Sequence, residues 1–466
     1  MPLHQRRLPR RGWRPERASP PLTQGHRSEE TMANDVFLKS LQTRRQALAL
    51  VASAALAGAL PRGAFAADEK VTLWHGWTGA DNTTALNGVI DTFNKGGKGV
   101  TVEPTGYDWD TLFSKWVVSS AGGRAPDLVL FHITELPEFA TRKVIRPIDD
   151  VVASSGLDLS QVPDAGRTGV TFDGKVYAAP LDVHPLGFYY NVDMVREAGL
   201  DPAKPPKTGE EFLEWAKKLT VKDGRGKVTR YGFELPNTWA TARWIWFSLM
   251  YQNGGTFLDD KGLAAVDSEA SRKALQYLVD LIKVHGVTNP EVGGNKGEDA
   301  FASKQVAMKF IGPWEVNLRM AQKMNFMTAQ LPVFGQRAAV WANSHCMAVS
   351  KQKNDDKLAA DGTFMKWFFD NFAAPATTVG IIPQSKAVRE SAAFTGTEQY
   401  KYFKSFVDDL PNIVYEPLIP QYLSVFSFDK PTPLVTNLQA ALSGSKPVPD
   451  ALKAMKEGLD AQLKKG

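Results

Sequence analysis

Short apolar runs alternate with amphipathic segments from Lys70 onward, and this alternation limits the fold more than any other feature of the sequence. Residues 71–74, 100–103 and 128–131 have the length and composition of strands. Between the first two, residues 86–93 carry apolar side chains at i, i+3, i+4 and i+7, which is the spacing of one helix face. Strands separated by helices predict parallel βαβ units and therefore an α/β domain.

The residues at the ends of these strands are candidate ligand contacts, because α/β sheets bind ligands beyond the carboxyl ends of their strands. His75 and Trp77 follow the first strand, and Phe131 and His132 end the third. The sequence therefore predicts that these four side chains share one rim of the sheet.

The stretch from Tyr177 to Asp193 is predicted to cross between two parts of the molecule. Two extended apolar runs, residues 176–181 and 187–191, flank Asp182 and His184. A proline follows His184 and favours extended backbone there, so this histidine is not expected in a helix. Two polar side chains at an apolar junction predict a cleft in which they orient the hydroxyls of a ligand.

Aromatic residues at strand ends and Gly or Pro turns mark the rest of the predicted cleft. A second crossing is predicted at residues 330–333. The candidate contacts from this part of the chain are Trp239, Trp244, Trp314, Trp341, Ser344 and His345. Flat rings suit the C–H face of a pyranose or polyol, while polar side chains fix hydroxyls. The predicted ligand is neutral and rich in hydroxyls, although packing remains the alternative for each tryptophan.

The first 66 residues are predicted to hold an N-terminal extension and an export signal. Residues 43–48 carry paired arginines, a short apolar run reaches Leu60, and residues 64–66 have the form of a cleavage site. A membrane anchor is not expected, because it needs about 20 apolar residues. Twin-arginine export to the periplasm is therefore predicted, with the Sec route as the alternative. Residues 1–31 have no periodicity, and Met32 is the expected start.

The formal net charge of +5 does not indicate a nucleic-acid or membrane partner. Residues 1–66 hold eleven Lys and Arg against four Asp and Glu. The remainder of the chain is therefore close to neutral, and charge favours neither partner.

No motif for metal binding or catalysis is evident. His132 and Glu135 lie three residues apart, but no HExxH or Cys pair accompanies them, and the seven histidines are spread along the chain. Cys346, the single cysteine, cannot be a nucleophile with His345 as its base, because neighbours on a strand point to opposite faces. The sequence predicts no metal, no cofactor and no enzyme, although a catalytic pair of carboxylates is left open.

Longer motifs follow one another in a characteristic order. They are LWHGWTG at Leu73, PDLVLF at Pro126, DGKVYAAPLDVHPLGFYYNVDMVREAGLDP at Asp173, MYQNGG at Met250, MKFIGPWEVNLR at Met308, and LQAALSG with PDALK near the C-terminus. This ordered set resembles the extracellular solute-binding proteins of ABC importers, in the branch that includes maltose-binding and glycerol-3-phosphate-binding proteins. The resemblance covers essentially the whole chain after the export signal.

The resemblance implies a two-lobed periplasmic binding protein fold of type II, in which each lobe is a sheet flanked by helices. The implied N-terminal lobe is residues 67–182 plus 333–390, and the implied C-terminal lobe is residues 183–332 plus 391–466. A monomer would close by a hinge on a carbohydrate and deliver it to the permease subunits of an ABC transporter.

The resemblance also assigns ligand contacts. Trp239 and Trp244 lie where the family places aromatic contacts, and Trp314 matches the Trp of the family's GPW motif. Residues 341–345 depart from the Gly-rich segment common at that point, which implies a narrower cleft. Glycerol 3-phosphate or another sugar phosphate is the alternative ligand, and an exported carbohydrate-active enzyme and an anion or polyamine carrier are further alternatives.

Overall fold

The computed structural model describes residues 68–236, 240–292, 299–351, 355–427 and 431–465. The predicted extension and export signal and the candidate contact Trp239 lie outside these residues. The strands within them are β1 Glu69–His75, β2 Val100–Gly106, β3 Leu128–His132, β4 Thr171–Phe172, β5 Lys175–Val176, β6 Ala178–Pro180, β7 Asp182–Pro185, β8 Gly187–Asn191, β9 Val221–Lys222, β10 Val228–Glu234, β11 Val306–Ile311, β12 Phe326–Ala329, β13 Val340–Asn343, β14 His345–Val349, β15 Ile382–Pro383 and β16 Ile413–Tyr415.

Helices cover the sheets and make up most of the C-terminal part. The α-helices within the described ranges are Ala80–Lys95, Trp109–Ala121, Leu136–Thr141, Asp149–Ser155, Asp164–Gly169, Val192–Glu197, Gly209–Leu219, Ala240–Gln252, Glu269–Lys283, Val316–Ala321, Leu358–Asp370, Ala373–Val379, Lys386–Glu390, Ala392–Thr395, Tyr400–Asp408, Tyr422–Phe426, Pro433–Ser443 and Val448–Leu463. None of these helices is long and apolar enough to cross a membrane.

The N-terminal strands pair parallel, as predicted, within a mixed five-stranded sheet. Its strand order is β2-β1-β3-β14-β6, and β1 runs parallel to both β2 and β3. The helices Ala80–Lys95 and Trp109–Ala121 connect these three strands, which confirms the predicted βαβ units. β14 is antiparallel to β3 and β6 and comes from much later in the chain.

Alternation along β3 divides the core of this sheet into two layers. Leu128 and Leu130 pack in the larger apolar cluster, which also holds the predicted face of the helix Ala80–Lys95. Val129 and Phe131 point to the other face and pack in a second cluster. β3 is therefore buried on both faces, as expected for an interior strand of an α/β sheet.

Two crossings connect the first sheet to a second one. β6, β7 and β8 follow one another in the chain but belong to three different sheets, so the stretch from Tyr177 to Asp193 crosses as predicted. The chain returns from β12 through β13 to β14, and the crossing predicted at residues 330–333 extends to Asn343. β7 and β13 pair antiparallel in a four-stranded sheet of order β15-β7-β13-β16.

The second large sheet has the order β12-β8-β11-β10-β9, with β10 parallel to β11 and with β8 antiparallel to β11 and β12. The helix Gly209–Leu219 packs on β10 and begins at a capping box, in which Thr208 and Glu211 bond to each other's backbone N–H. Its apolar face, including Phe212 and Trp215, is buried.

Candidate ligand-binding site

A cavity of about 400 Å³ lies where strand ends from the three larger sheets meet. It is lined by Gly76, Trp77, Thr78, Gly79, Asp108, Trp109, His132, His184, Trp244, Trp314, Trp341, Asn343, His345, Val379 and Ile381. A cavity of this size is within the usual range for small-molecule sites.

The wall next to the first sheet consists of indole rings held against histidines. Trp77 Nε1–H donates to Nε2 of His345 across 3.2 Å, and the two rings meet edge to face. The Trp109 ring centroid lies 5.5 Å from that of His345, with the planes nearly parallel, and 4.1 Å from that of His132. Contacts with the histidines therefore fix how both indoles face the cavity.

Three histidines from three strands meet at this wall. The antiparallel pairing of β3 with β14 places His132 directly opposite His345. His184 comes from β7, and its ring centroid lies 4.6 Å from that of His345. One ring nitrogen of each histidine lies within 4.8 Å of the other two. Tertiary folding thus gathers residues that are far apart in the sequence.

Asp182 lies behind these rings and is fully buried. Its Oδ1 accepts a hydrogen bond from Nδ1 of His184 at 2.7 Å, and its Oδ2 accepts one from Nδ1 of His345 at 2.8 Å. Burial raises the pKa of Asp182, but the attraction of His345 and the bonds from both histidines outweigh burial and lower this pKa to about 2. The carboxylate is therefore ionised at neutral pH.

The histidine partners of Asp182 are neutral. Burial lowers the pKa of His345 to about 4 despite the attraction of Asp182, and burial also lowers the pKa of His184. A neutral imidazole that donates from Nδ1 has its lone pair on Nε2. Both rings therefore offer a hydrogen-bond acceptor, and the Trp77 N–H already uses the one on His345.

Three tryptophans form a second wall. Trp244 stacks on Trp341 with 4.1 Å between ring centroids and 19° between ring planes, and Trp314 meets Trp244 edge to face at 5.8 Å. Trp244 and Trp341 are almost completely buried, whereas Trp314 is half-buried. Trp314 lies in a 3-10 turn, Pro313–Glu315, directly after β11, as its Gly-Pro context predicts. It is the most exposed indole of this wall.

A polar network lies beside the cavity around the second crossing. Asn343 lines the cavity, and its Nδ2–H donates to Thr134 Oγ1 at 3.0 Å. Ser344 Oγ and the Tyr415 hydroxyl are 2.7 Å apart, and the Gln384 amide donates to both at 3.1 Å. These bonds fix the backbone between β13 and β14, and so the position of His345.

The structure brings seven of the predicted contacts to the cavity and leaves others outside it. The residues on the wall are Trp77, His132, His184, Trp244, Trp314, Trp341 and His345. Asp182 holds two of them from behind, and Ser344 lies in the adjoining network.

His75 is buried at the end of β1, where burial lowers its pKa to about 4. Phe131 packs against Trp116 and Phe139 in the core, because alternation along β3 turns it away from the His132 side.

Trp109 and Asn343 are wall residues that sequence reasoning missed. Trp109 is the first residue of its helix, and Asp108 caps that helix by accepting from the backbone N–H of Thr111. An Asp before an amphipathic segment is a start signal, which could have placed Trp109 at a helix N-terminus beside a strand end. Asn343 faces the cavity because of the register between β13 and β7, and the sequence carries no local signal for that register.

The fold and the cavity together define a class of protein, namely a mixed α/β binding protein with two sheets joined by crossings and an aromatic cavity where the strands end. Residues 88–401 match the family described as bacterial extracellular solute-binding protein. The chain belongs to this family, as the order of its motifs predicts.

Individual relatives are identical to this chain at about a quarter of the aligned positions. It is 24% identical to an arabinooligosaccharide-binding protein of Halalkalibacterium halodurans over 55% of this chain and 57% of that protein. It is 29% identical to an sn-glycerol-3-phosphate-binding periplasmic protein of Agrobacterium fabrum over 50% of this chain and 54% of that protein. The matched segments thus span little more than half of these two relatives.

A solved structure extends the similarity to the whole fold. The cyclic alpha-maltosyl-1,6-maltose binding protein of Arthrobacter globiformis superposes with a TM-score of 0.71 at 26% identity, over 85% of this chain and 99% of that one. The fold is therefore that of the maltose-binding type of periplasmic binding protein. The family and these relatives are binding proteins rather than enzymes.

Proposed function

We propose that this protein is the substrate-binding component of an ABC importer and that it captures a neutral carbohydrate between two lobes. The observation that carries the proposal is the composition of the cavity wall, which combines five indoles with three imidazoles and an amide. Indole faces stack on the C–H face of a sugar ring, and imidazole and amide groups bond to its hydroxyls. Relatives named for binding an arabinooligosaccharide and lactose support this ligand class.

The charge of the wall favours a sugar over a sugar phosphate. Among the described residues that line the cavity there is no Lys or Arg, and Asp108 is the only carboxylate. A phosphate group is normally held by Arg, Lys or several backbone N–H groups. A glycerol 3-phosphate ligand, the alternative suggested by several relatives, would lack such a cation here.

Binding energy has to come from both walls. A micromolar dissociation constant corresponds to about 8 kcal/mol, while one aromatic contact supplies about 0.5 to 1.5 kcal/mol beyond its buried area. Trp314 and Trp244 on one wall and Trp109 with His184 on the other would have to contact the sugar together. Closure of the lobes on the ligand meets this need, with residues 67–182 plus 333–390 as one lobe and residues 183–332 plus 391–466 as the other.

The remaining parts of the proposal concern location and assembly. We infer twin-arginine export to the periplasm, removal of residues 1–66, a monomeric state, and transfer of the sugar to membrane permease subunits. Neither nucleic acid nor a catalytic reaction is part of the proposal.

A thermal-shift screen of the exported form tests the ligand class. Mono-, di- and trisaccharides, polyols and glycerol phosphates would each be added, and a sugar present at 100 times its dissociation constant should add about 2.7 kcal/mol of stability. Stabilisation by a neutral sugar supports the proposal. Stabilisation only by glycerol phosphates, or by none of the compounds, overturns it.

Recovery of the ligand separates binding from catalysis. A sugar that stabilises the protein would be incubated with it overnight and then analysed by chromatography. We expect the sugar to be recovered intact in equimolar complex. Accumulation of cleaved or modified sugar would instead indicate an exported carbohydrate-active enzyme.

A further inference from the structure

The three histidines at the cavity wall form a cluster with the composition of a metal site. His132, His184 and His345 each offer a ring nitrogen within 4.8 Å of the other two, and all three line the cavity. Each is the end or interior residue of a strand whose register is fixed by pairing: β3 with β14, and β7 with β13. The backbone therefore holds the three rings in place from independent strands.

A carboxylate lies behind the cluster and holds two of its rings by hydrogen bonds. Asp182 accepts from Nδ1 of both His184 and His345, and this leaves Nε2 of each ring with its lone pair. Histidines that bind metals commonly donate their other ring N–H to a carboxylate, which fixes the tautomer and the ring orientation. Glu135 Oε1 lies 3.5 Å from Nδ1 of His132, which places a carboxylate near the third ring at a longer distance than in the two bonds to Asp182.

Asp182 holds two of the three rings from a fully buried position. Within the described residues, its hydrogen bonds and ion pairs go only to His184 and His345. This one side chain therefore fixes the orientation of both imidazoles.

We propose that His132, His184 and His345 bind one divalent transition-metal ion of the Zn²⁺ type, with its remaining coordination positions open to the cavity. Three imidazoles suit Zn²⁺, Ni²⁺ and Cu²⁺, whereas Mg²⁺ and Ca²⁺ prefer oxygen ligands. Zn–N bonds of about 2.0 to 2.1 Å in a tetrahedron put the nitrogens about 3.4 Å apart. The rings therefore draw together when the ion binds.

Two consequences distinguish a metal site from a cluster that only bonds to a sugar. The ion takes the lone pair of His345 Nε2, so the Trp77 N–H loses its acceptor. The open positions of the ion face the cavity, so water or a hydroxyl or carboxylate of a solute can complete the coordination. Metal binding does not depend on whether the solute is a carbohydrate.

The test uses the exported protein after removal of metals with a chelator. Equilibrium dialysis against Zn²⁺ with elemental analysis gives affinity and stoichiometry, and Co²⁺ absorption reports coordination geometry. We expect one Zn²⁺ per chain and the visible bands of tetrahedral Co²⁺. His132→Gln and His345→Gln should each weaken Zn²⁺ binding at least tenfold, and Asp182→Asn should weaken it about 10- to 100-fold.

The matched control is His285→Ala, which removes a partly exposed histidine after the helix Glu269–Lys283. This variant should bind Zn²⁺ as the unmodified protein does, and circular dichroism of every variant checks that it is folded. Binding far below one ion per chain overturns the proposal, and so does equal affinity in folded His132→Gln and His345→Gln. Loss of binding in His285→Ala alone would place the ion on the surface and also overturn it.

Discussion

Gly76 lies directly beneath the indole ring of Trp109, so close that a Cβ at this position would be 2.1 Å from Cε3 of the ring. The absence of a side chain therefore lets the loop after β1 support the indole. The same ring contacts His132 and His345, so the position of Trp109 couples the loop to the histidine wall.

Gly76→Ala should displace Trp109 and weaken ligand binding without unfolding the protein. The added methyl group would push the indole away from the loop, so the ring would lose its contacts with His132 and His345. We expect about a threefold to tenfold rise in the dissociation constant of the sugar found in the screen, equivalent to one aromatic contact of about 0.5 to 1.5 kcal/mol. Calorimetric titration measures this change. Gly88→Ala is the control, because a Cβ there meets nothing within 4 Å.

Trp314→Ala should have a larger effect on the same sugar. This indole is the most exposed of the second wall and contacts both His184 and Trp244, so its removal takes away a stacking face and opens that side of the cavity. We expect at least a tenfold loss of affinity by titration, with about half of the loss in free energy recovered in Trp314→Phe. Unchanged affinity in Trp314→Ala would mean that this residue only packs.

Local signals predicted the elements well, because they depend on spacing along the chain. The apolar face of the helix Ala80–Lys95 and the crossing between residues 177 and 193 are both present. Alternation in a strand also explains why Phe131 is in the core while its neighbour His132 is on the wall, but the sequence did not say which of the two faced the cleft.

The histidine cluster could not be predicted, because it depends on pairing between distant strands. His132 and His345 become neighbours only through the register of β3 with β14, and His184 joins them through a different sheet. No short motif records such pairings, and the sequence therefore contains no closely spaced set of ligands that would indicate this cluster. The stacking of Trp244 on Trp341 is hidden from the sequence for the same reason.

The buried ion pair between Arg243 and Glu416 should be essential to stability. Arg243 Nε lies 2.9 Å from Glu416 Oε1, both side chains are almost completely buried, and the Tyr422 hydroxyl also donates to the glutamate. Arg243→Met should lower the free energy of unfolding by about 3 to 5 kcal/mol, because it leaves a carboxylate buried without its cation. Urea denaturation measures this loss.

Two further variants separate charge from packing at this pair. Arg243→Met combined with Glu416→Leu should recover much of the lost stability, since a buried pair can be replaced by apolar side chains. Lys404→Met breaks an exposed pair with Asp408 and should cost less than about 1 kcal/mol. If Arg243→Met were no more destabilising than Lys404→Met, the buried pair would not make the predicted contribution to the free energy of unfolding.

Asp361 should make the protein less stable as the pH rises. Its side chain is buried in the helix Leu358–Asp370, and burial together with repulsion by Asp127 raises its pKa to about 8, against the opposing attraction of Lys357. In the unfolded chain an aspartate releases its proton near pH 4. The folded state therefore binds more protons between about pH 4 and pH 8, and the free energy of unfolding contributed by this group falls across that window.

Asp361→Asn removes this titration while keeping the size of the side chain. We expect the variant to gain about 4 kcal/mol relative to the unmodified protein between pH 5 and pH 8, because only the unmodified protein has to retain on folding a proton that its unfolded chain has released. Urea unfolding at several pH values measures the gain. Asp370→Asn, on the exposed end of the same helix, serves as the control and should leave the pH profile unchanged. Parallel profiles for Asp361→Asn and the unmodified protein would show that Asp361 titrates normally in the folded state.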